Sequence, residues 1–223
     1  MTILGRRWVP AVAGVLTAIL LLAMGAALRP LIPGSDAVGD HGITLSAAEI
    51  GFAQDMSTHH EQAVFMTQYL DKGSVDPVVA LLAEQISANQ IQEIGIMRGW
   101  LMLFDKPQTG QHPMAWMQQT TAHAMGHMAS AAPAPPPAMP GMATWDDLNR
   151  LHQLKGRDAE ILFLQLMMRH HQGGIDMAHE AIPLLHSPVI KRITQGMIND
   201  QTQEFGYMGM LLQQRGAPML PYP

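Results

Sequence analysis

Apolar and polar positions alternate with a helical period from Phe52 to Met97, and the alternation returns from Phe163 to Met208. The first helix of this pattern is predicted to start at a Ser46-Ala-Ala-Glu49 capping box and to run to about Lys72-Gly73. A second is predicted from Pro77 to about Phe104, with an apolar stripe of Val78, Leu81, Leu82, Ile86, Ile94 and Met97. Two more are expected over 158–182 and 188–215, the last closing at Gly216 with Pro218 just beyond. A short amphipathic helix, Trp145 to about Lys155, starts at Thr144 with Asp147 three residues on. No period-two alternation competes, so the fold class is all-α, with two antiparallel hairpins burying their stripes in a four-helix bundle.

The second half of the pattern is a copy of the first. One and the same interval separates His59 from His170, Met56 from Met167 and Met66 from Met177. That interval also joins Phe52 to Phe163, Gln90 to Gln201, Glu93 to Glu204 and Met97 to Met208. It lays Asp76-Pro77 on Ser187-Pro188, in both cases an N-cap residue followed by proline at the first helical position. A register held without a gap over about fifty residues marks an internal duplication. The domain is therefore expected over 44–216, with a first hairpin at 44–104 and a second at 144–216.

Two segments stand outside the repeat. Residues 8–28, "WVPAVAGVLTAILLLAMGAAL", carry no charge and are long enough to cross a bilayer as a helix. Arg6 and Arg7 before them predict a cytoplasmic N-terminus and an extracytoplasmic domain, so 1–29 is expected to be a membrane anchor. The small residues Gly25–Ala27 offer the alternative of a cleaved leader and a secreted or periplasmic product. A Pro- and Gly-rich linker, 30–43, follows. Residues 105–143, between the copies, are rich in Pro, Ala, Met and His, and predict an irregular connection with one helical turn near Ala115–His127.

Composition narrows the chemistry. A net charge of -5 with only 14% charged residues gives no basic stripe for nucleic acid. Cysteine is absent, which excludes disulfides, zinc–thiolate sites and thiol nucleophiles and suits an oxidising compartment. Nineteen methionines outnumber the 13 Lys and Arg together, and 11 histidines accompany them. Met and His without Cys describe a soft-metal site of thioether and imidazole.

On a helix, taking Met56 as zero, His59 falls near about -60°, His60 near +40°, Ala63 near -20° and Met66 near -80°. Met167, His170, His171, Gly174 and Met177 repeat that arc of about 120°. Burying adjacent imidazoles costs free energy unless each is hydrogen-bonded or metal-bound, and this chain does so twice in register. The two His pairs are therefore read as metal ligands, with Met56, Met66, Met167 and Met177 beside them. Glu93 and Glu204 are read as groups that orient those imidazoles, with direct ligation the alternative if the metal is iron. Met97 and Met208 are assigned to core packing. A second cluster lies in the connection: His112, Met114, Met117, His123, Met125, His127, Met128, Met139 and Met142. Flexible Met/His strings of this kind suit capture of Cu(I). His41, His152, His179 and His186 lack such companions and are read as structural.

The two M-x-x-H-H phrases, the Q-x-x-E on each following helix and "MPGMAT" at 139–144 resemble a bacterial family catalogued as a domain of unknown function, number 305, which has CopM-like copper-binding members. The resemblance covers about residues 44–215. It implies an extracytoplasmic, ferritin-like four-helix bundle that binds copper through Met and His. Carried over residue by residue, it implicates Met56, His59, His60, Met66, Met167, His170, His171 and Met177. The family often carries an Asp ahead of each phrase. Here Asp55 precedes Met56, but its counterpart is Leu166.

The expectation is a membrane-anchored, extracytoplasmic protein that sequesters or transfers copper to another copper-handling protein. It is not an enzyme on this reading. Cu(I) is the favoured ion, and the paired histidines also suit Cu(II). Two alternatives stand beside it. A di-iron redox protein would place Glu-x-x-His on the motif helices, where this chain has Met56 and Met167 three residues before the first His of each pair. A metal-free anchored interaction module would use the histidines as a pH sensor.

Overall fold

Among the described residues, four of the five helices begin where the sequence supplies an oxygen to cap them. A computed structural model describes residues 44–117 and 139–222, and Leu45–Pro223 forms one compact unit. Among the described residues the helices are α1 (Ala47–Tyr69), α2 (Pro77–Leu103), α3 (Trp145–Gln153), α4 (Gly156–Ala181) and α5 (Pro188–Gln214), with no strand. Ser46 and Glu49 close a reciprocal capping box at α1, and Thr144 and Asp147 close another at α3. Asp76 and Ser187 cap α2 and α5 through their side chains, each with proline next. Gly216, at φ 64°, ends α5 in the left-handed region that favours glycine.

Several boundaries differ from those expected. α1 stops at Tyr69, three residues before Lys72. α4 starts two residues before Asp158 and gives way to a 3₁₀ turn at Ile182–Leu184, where Pro183 cannot continue the ladder. The expected helical turn in the connection is a 3₁₀ turn at Ala115–Met117. The stripe predicted for α2 also starts wrongly. Val78 and Leu81 are 43% and 63% exposed, while Val79, Leu82, Ala83 and Ile86 face the core. The membrane segment 1–29, the linker 30–43, His41 and the connection residues His123, Met125, His127 and Met128 lie outside the described residues. Among the described residues no helix is long and apolar enough to cross a membrane.

α1 packs on α2, α4 packs on α5, and the two hairpins meet through α1 against α4. That central crossing divides the interior. One core cluster gathers Phe52, Met56, Met97 and Leu101 of the first copy with Met177, Met197 and Ile198 of the second. The other gathers Met66, Val79, Leu82 and Ile86 with Phe163, Met167, Met208 and Leu212. Each core thus draws on both copies, so neither hairpin buries its stripe alone.

Two glutamates clasp the copies together. Glu49 Oε1 accepts from the His186 and Ser187 amides at 2.9 and 2.7 Å, and its Oε2 accepts from the Ser46 amide. Glu160, its counterpart in the second copy, accepts from the Asp76 amide at 2.6 Å and from Arg215 Nε at 2.5 Å. Each copy's first helix therefore caps the turn of the other copy's hairpin. The duplicated register continues past the helices, where Gln54 donates to the Pro107 carbonyl and Gln165 to the Pro218 carbonyl, both at 2.7 Å.

Asp55, the carboxylate with no counterpart in the second copy, holds the start of the connection. Its Oδ2 accepts from the Met114 amide at 2.6 Å and from Trp116 Nε1 at 2.9 Å. Burial pushes its carboxyl upward against those two bonds. Leu166, at the equivalent place, is core. Changing Asp55 to Leu is expected to leave both buried donors unpaired, at about 1–3 kcal/mol each. Urea unfolding should show that loss, and hydrogen exchange should show the Met114–Trp116 turn opening first.

Candidate metal centre

The crossing of α1 and α4 sets His59 on His170, with ring centroids 3.8 Å apart. His60 and His171 lie outward of that stack, each turned toward its own hairpin partner. All four rings are fully or almost fully buried. For each outer histidine the facing helix supplies a carboxylate. His60 Nε2 donates to Glu93 Oε2 at 2.6 Å, and His171 Nε2 donates to Glu204 Oε2 at 2.7 Å. The inner pair uses backbone. His59 Nε2 donates to the Pro140 carbonyl at 3.0 Å, and His170 Nε2 donates to the His59 carbonyl at 3.0 Å.

These four acceptors fix the tautomers. A carbonyl or carboxylate oxygen only accepts, so the proton sits on Nε2 in every ring. The four Nδ1 atoms are buried and have no protein hydrogen-bond partner. A proton on any of them would be an orphaned donor, so each Nδ1 presents a lone pair. An imidazole held by its N–H to a carboxylate or carbonyl, with its other nitrogen bare, is the arrangement that metal-binding histidines adopt. Burial holds His59 down to about 3, helped by the neighbouring His60 and opposed by the Pro140 bond. His170 lies well below its usual range, from burial first and then from His59, His171 and His60. Both inner rings are therefore neutral and free to donate electrons at physiological pH.

Buried methionines lie in both core clusters. Met56, Met97 and Met177 come from three helices into one core, and Met167, Met208 and Met66 repeat the set in the other. Met97 and Met208, assigned to packing, are fully buried as that reading requires, and they share these cores with the motif methionines. Among the described residues no three imidazole or carboxylate groups cluster to hold a metal by themselves. The carboxylates of Glu93 and Glu204 are engaged with His60 and His171, in the orienting role read from the sequence.

The connection contributes unevenly. Met114 is 2% exposed in the core beside Phe52 and Met56, a packed place within a connection expected to be irregular. Met117 and Met139 pack against the same core, and Met142 is half-buried. His112 is exposed, on an open cleft of about 310 Å³ lined also by Gln54, Asp55 and Trp116. His152 lies against Tyr69, while His179 and His186 are exposed.

Residues outside the expected set also shape the centre. Pro140 supplies the acceptor for His59, a contact across 81 residues that no local spacing signals. Gln201 packs on Gly174 so closely that a side chain there would collide with it. The small residue at the centre of the arc therefore makes room for a neighbouring helix.

The arrangement defines a class: an all-α protein of two duplicated hairpins that buries four imidazoles and carries buried methionines in both of its cores. The chain belongs to the family described as Domain of unknown function (DUF305), whose sequence profile matches residues 49–212. A DUF305 protein of Streptomyces coelicolor, described as secreted, is 36% identical with a TM-score of 0.67, over 78% of this chain and 96% of that one. CopM in its Cu(II)-bound form is 20% identical with a TM-score of 0.53, over 74% and 96%. CopM in its Cu(I)-bound form is 23% identical with a TM-score of 0.51 over the same shares. Comparison with curated proteins returns no match.

Proposed function

We propose that the protein binds copper outside the cytoplasm, as Cu(I), and sequesters it or hands it to another copper-handling protein. The observation that carries this reading is the set of four buried Nδ1 atoms with no protein partner, in a bundle whose two cores both hold buried methionines. Hard cations prefer oxygen, whereas imidazole with thioether suits copper, and thioether favours the reduced ion. CopM, which shares the fold, has been seen with both Cu(I) and Cu(II). The secreted description of the Streptomyces relative supports an extracytoplasmic location, with residues 8–28 as anchor or cleaved leader. The protein acts as a carrier rather than a catalyst. The Met- and His-rich connection serves as a second, softer capture segment.

Methionine chemistry separates this reading from simple packing. Leucine nearly conserves methionine's volume, so Met56→Leu and Met177→Leu should cost less than about 1.5 kcal/mol per site. The double variant is expected to keep its fold and lose tenfold or more in Cu(I) affinity, about 1.4 kcal/mol. Its affinity for Cu(II), a harder ion held chiefly by imidazole, should change less. Chelator competition with each ion measures both. An unchanged Cu(I) affinity would return these sulfurs to the core.

A further inference from the structure

The duplication is broken where residues 139–144 cross the junction of α1 and α4 beside the His59–His170 stack. We infer that this strap is the positioning element for His59, acting through the Pro140 carbonyl, and that it makes the two halves of the centre inequivalent. The inference rests on the copper reading for its consequence and on the geometry alone for its mechanism.

Perfect two-fold symmetry would have His170 donate to the His59 carbonyl and His59 donate to the His170 carbonyl. Only the first bond forms. His59 Nε2 turns to the Pro140 oxygen instead. The strap is gripped from one copy and accommodated by the other. Gln62 on α1 donates to the Ala143 carbonyl at 2.9 Å and accepts from the Ala143 amide at 2.7 Å, a two-point hold on its backbone. The counterpart of Gln62 in the second copy is Gly173, where any Cβ would collide with the Pro140 carbonyl. Gly141, at φ 76°, passes so close to the Arg169 carbonyl and His170 Cα that a side chain there would collide as well. Arg169, whose counterpart is Thr58, reaches the Met142 carbonyl and Asp147. The copies have thus diverged where the strap lies: Gln62 holds it and Gly173 admits it.

The consequence is directional. His170 keeps its acceptor as long as α1 is a helix. His59 keeps its acceptor only while the strap is seated. The strap ends the same connection that carries His112, Met117 and Met139, so a shift of that segment reaches one imidazole and leaves the other three. Losing an orienting partner of a ligating histidine weakens metal binding by about 10–100-fold.

The test is long-range ¹H–¹⁵N NMR of the imidazoles in the metal-free full chain. Three variants are compared with wild type: Gly173→Ala, which pushes the strap away; Gln62→Ala, which releases it without a clash; and Gly95→Ala, where a Cβ meets open space. In the first two, His59 alone should lose its fixed Nε2–H tautomer, while His60, His170 and His171 keep theirs. Gly95→Ala should match wild type. Chelator competition should show the same two variants about tenfold or more weaker for Cu(I). An unchanged His59 in both would overturn the inference. So would all four rings changing together, which would make the strap a general support of the fold. If wild type takes up no Cu(I) while His59 alone responds, the strap stands and the copper reading fails.

Discussion

Changing His59, His60, His170 and His171 together to glutamine should remove tight Cu(I) binding by the helical domain while leaving its helices in place. Glutamine retains an amide donor near the position of Nε2, so Glu93, Glu204 and the two backbone acceptors keep a partner. What disappears is the basic nitrogen at Nδ1. Losing an outer partner of a ligand already costs about 10–100-fold, so losing four ligands should exceed about 100-fold. Circular dichroism checks the fold, and anaerobic competition with a Cu(I) chelator measures the affinity. Residual weak uptake is expected from the Met and His residues of the connection. Tight binding retained in full would assign the metal to that connection and the four imidazoles to hydrogen bonding alone.

The second large effect concerns stability. Glu160→Ala leaves the nearly buried Arg215 guanidinium without its close partner and the Asp76 amide without an acceptor. Removing one member of a buried ion pair costs about 3–5 kcal/mol. Glu49→Ala orphans the Ser46, His186 and Ser187 amides, at about 1–3 kcal/mol for each one that water does not reach. Domains of this kind are stable by about 5–15 kcal/mol, so the double variant should lie close to its unfolding limit. Urea denaturation measures each loss.

The same clasp carries a pH signature. Burial raises the Glu49 carboxyl, but the bonds from Ser187, Ser46 and His186 outweigh it, and the group ends below its ordinary 4.5. A folded value below the unfolded one means the contribution is complete above the ordinary carboxylate range and lost as pH falls through the folded value. Stability should therefore drop on acidification below about pH 4.5, and Glu49→Gln should flatten that part of the profile.

Much of this was legible because the chain states its design twice. One constant offset pairs the two His-His phrases, the two N-caps and the Q-x-x-E faces, and the register of each hairpin follows from it. The clasp obeys the same offset, since Glu49 and Glu160 share it and bond the Ser187 and Asp76 amides, which share it too, but which helix meets which turn came only from the fold. The α2 stripe was misread for a physical reason. Val78, Leu81 and Ile91 are apolar yet exposed, so the apolar arc is wider than the buried one and the period alone does not locate its centre. The strap stood out only as the phrase "MPGMAT", and its hold on His59 was not legible. Pro140 has no duplicate, its partner lies 81 residues away, and a backbone acceptor leaves no mark in the side-chain sequence. The bare Nδ1 atoms likewise needed the acceptors opposite Nε2 to be seen first.

The central claim is that those four Nδ1 atoms receive the metal. Cu(I) is diamagnetic, so the most direct measurement follows all four imidazoles by long-range ¹H–¹⁵N NMR as Cu(I) is added anaerobically to the full chain. The account predicts that Nδ1 of His59, His60, His170 and His171 shifts on metal addition while each Nε2 keeps its proton and its hydrogen bond. If those nitrogens stay in place while His112 and other histidines of the connection respond, the bundle is not the copper site.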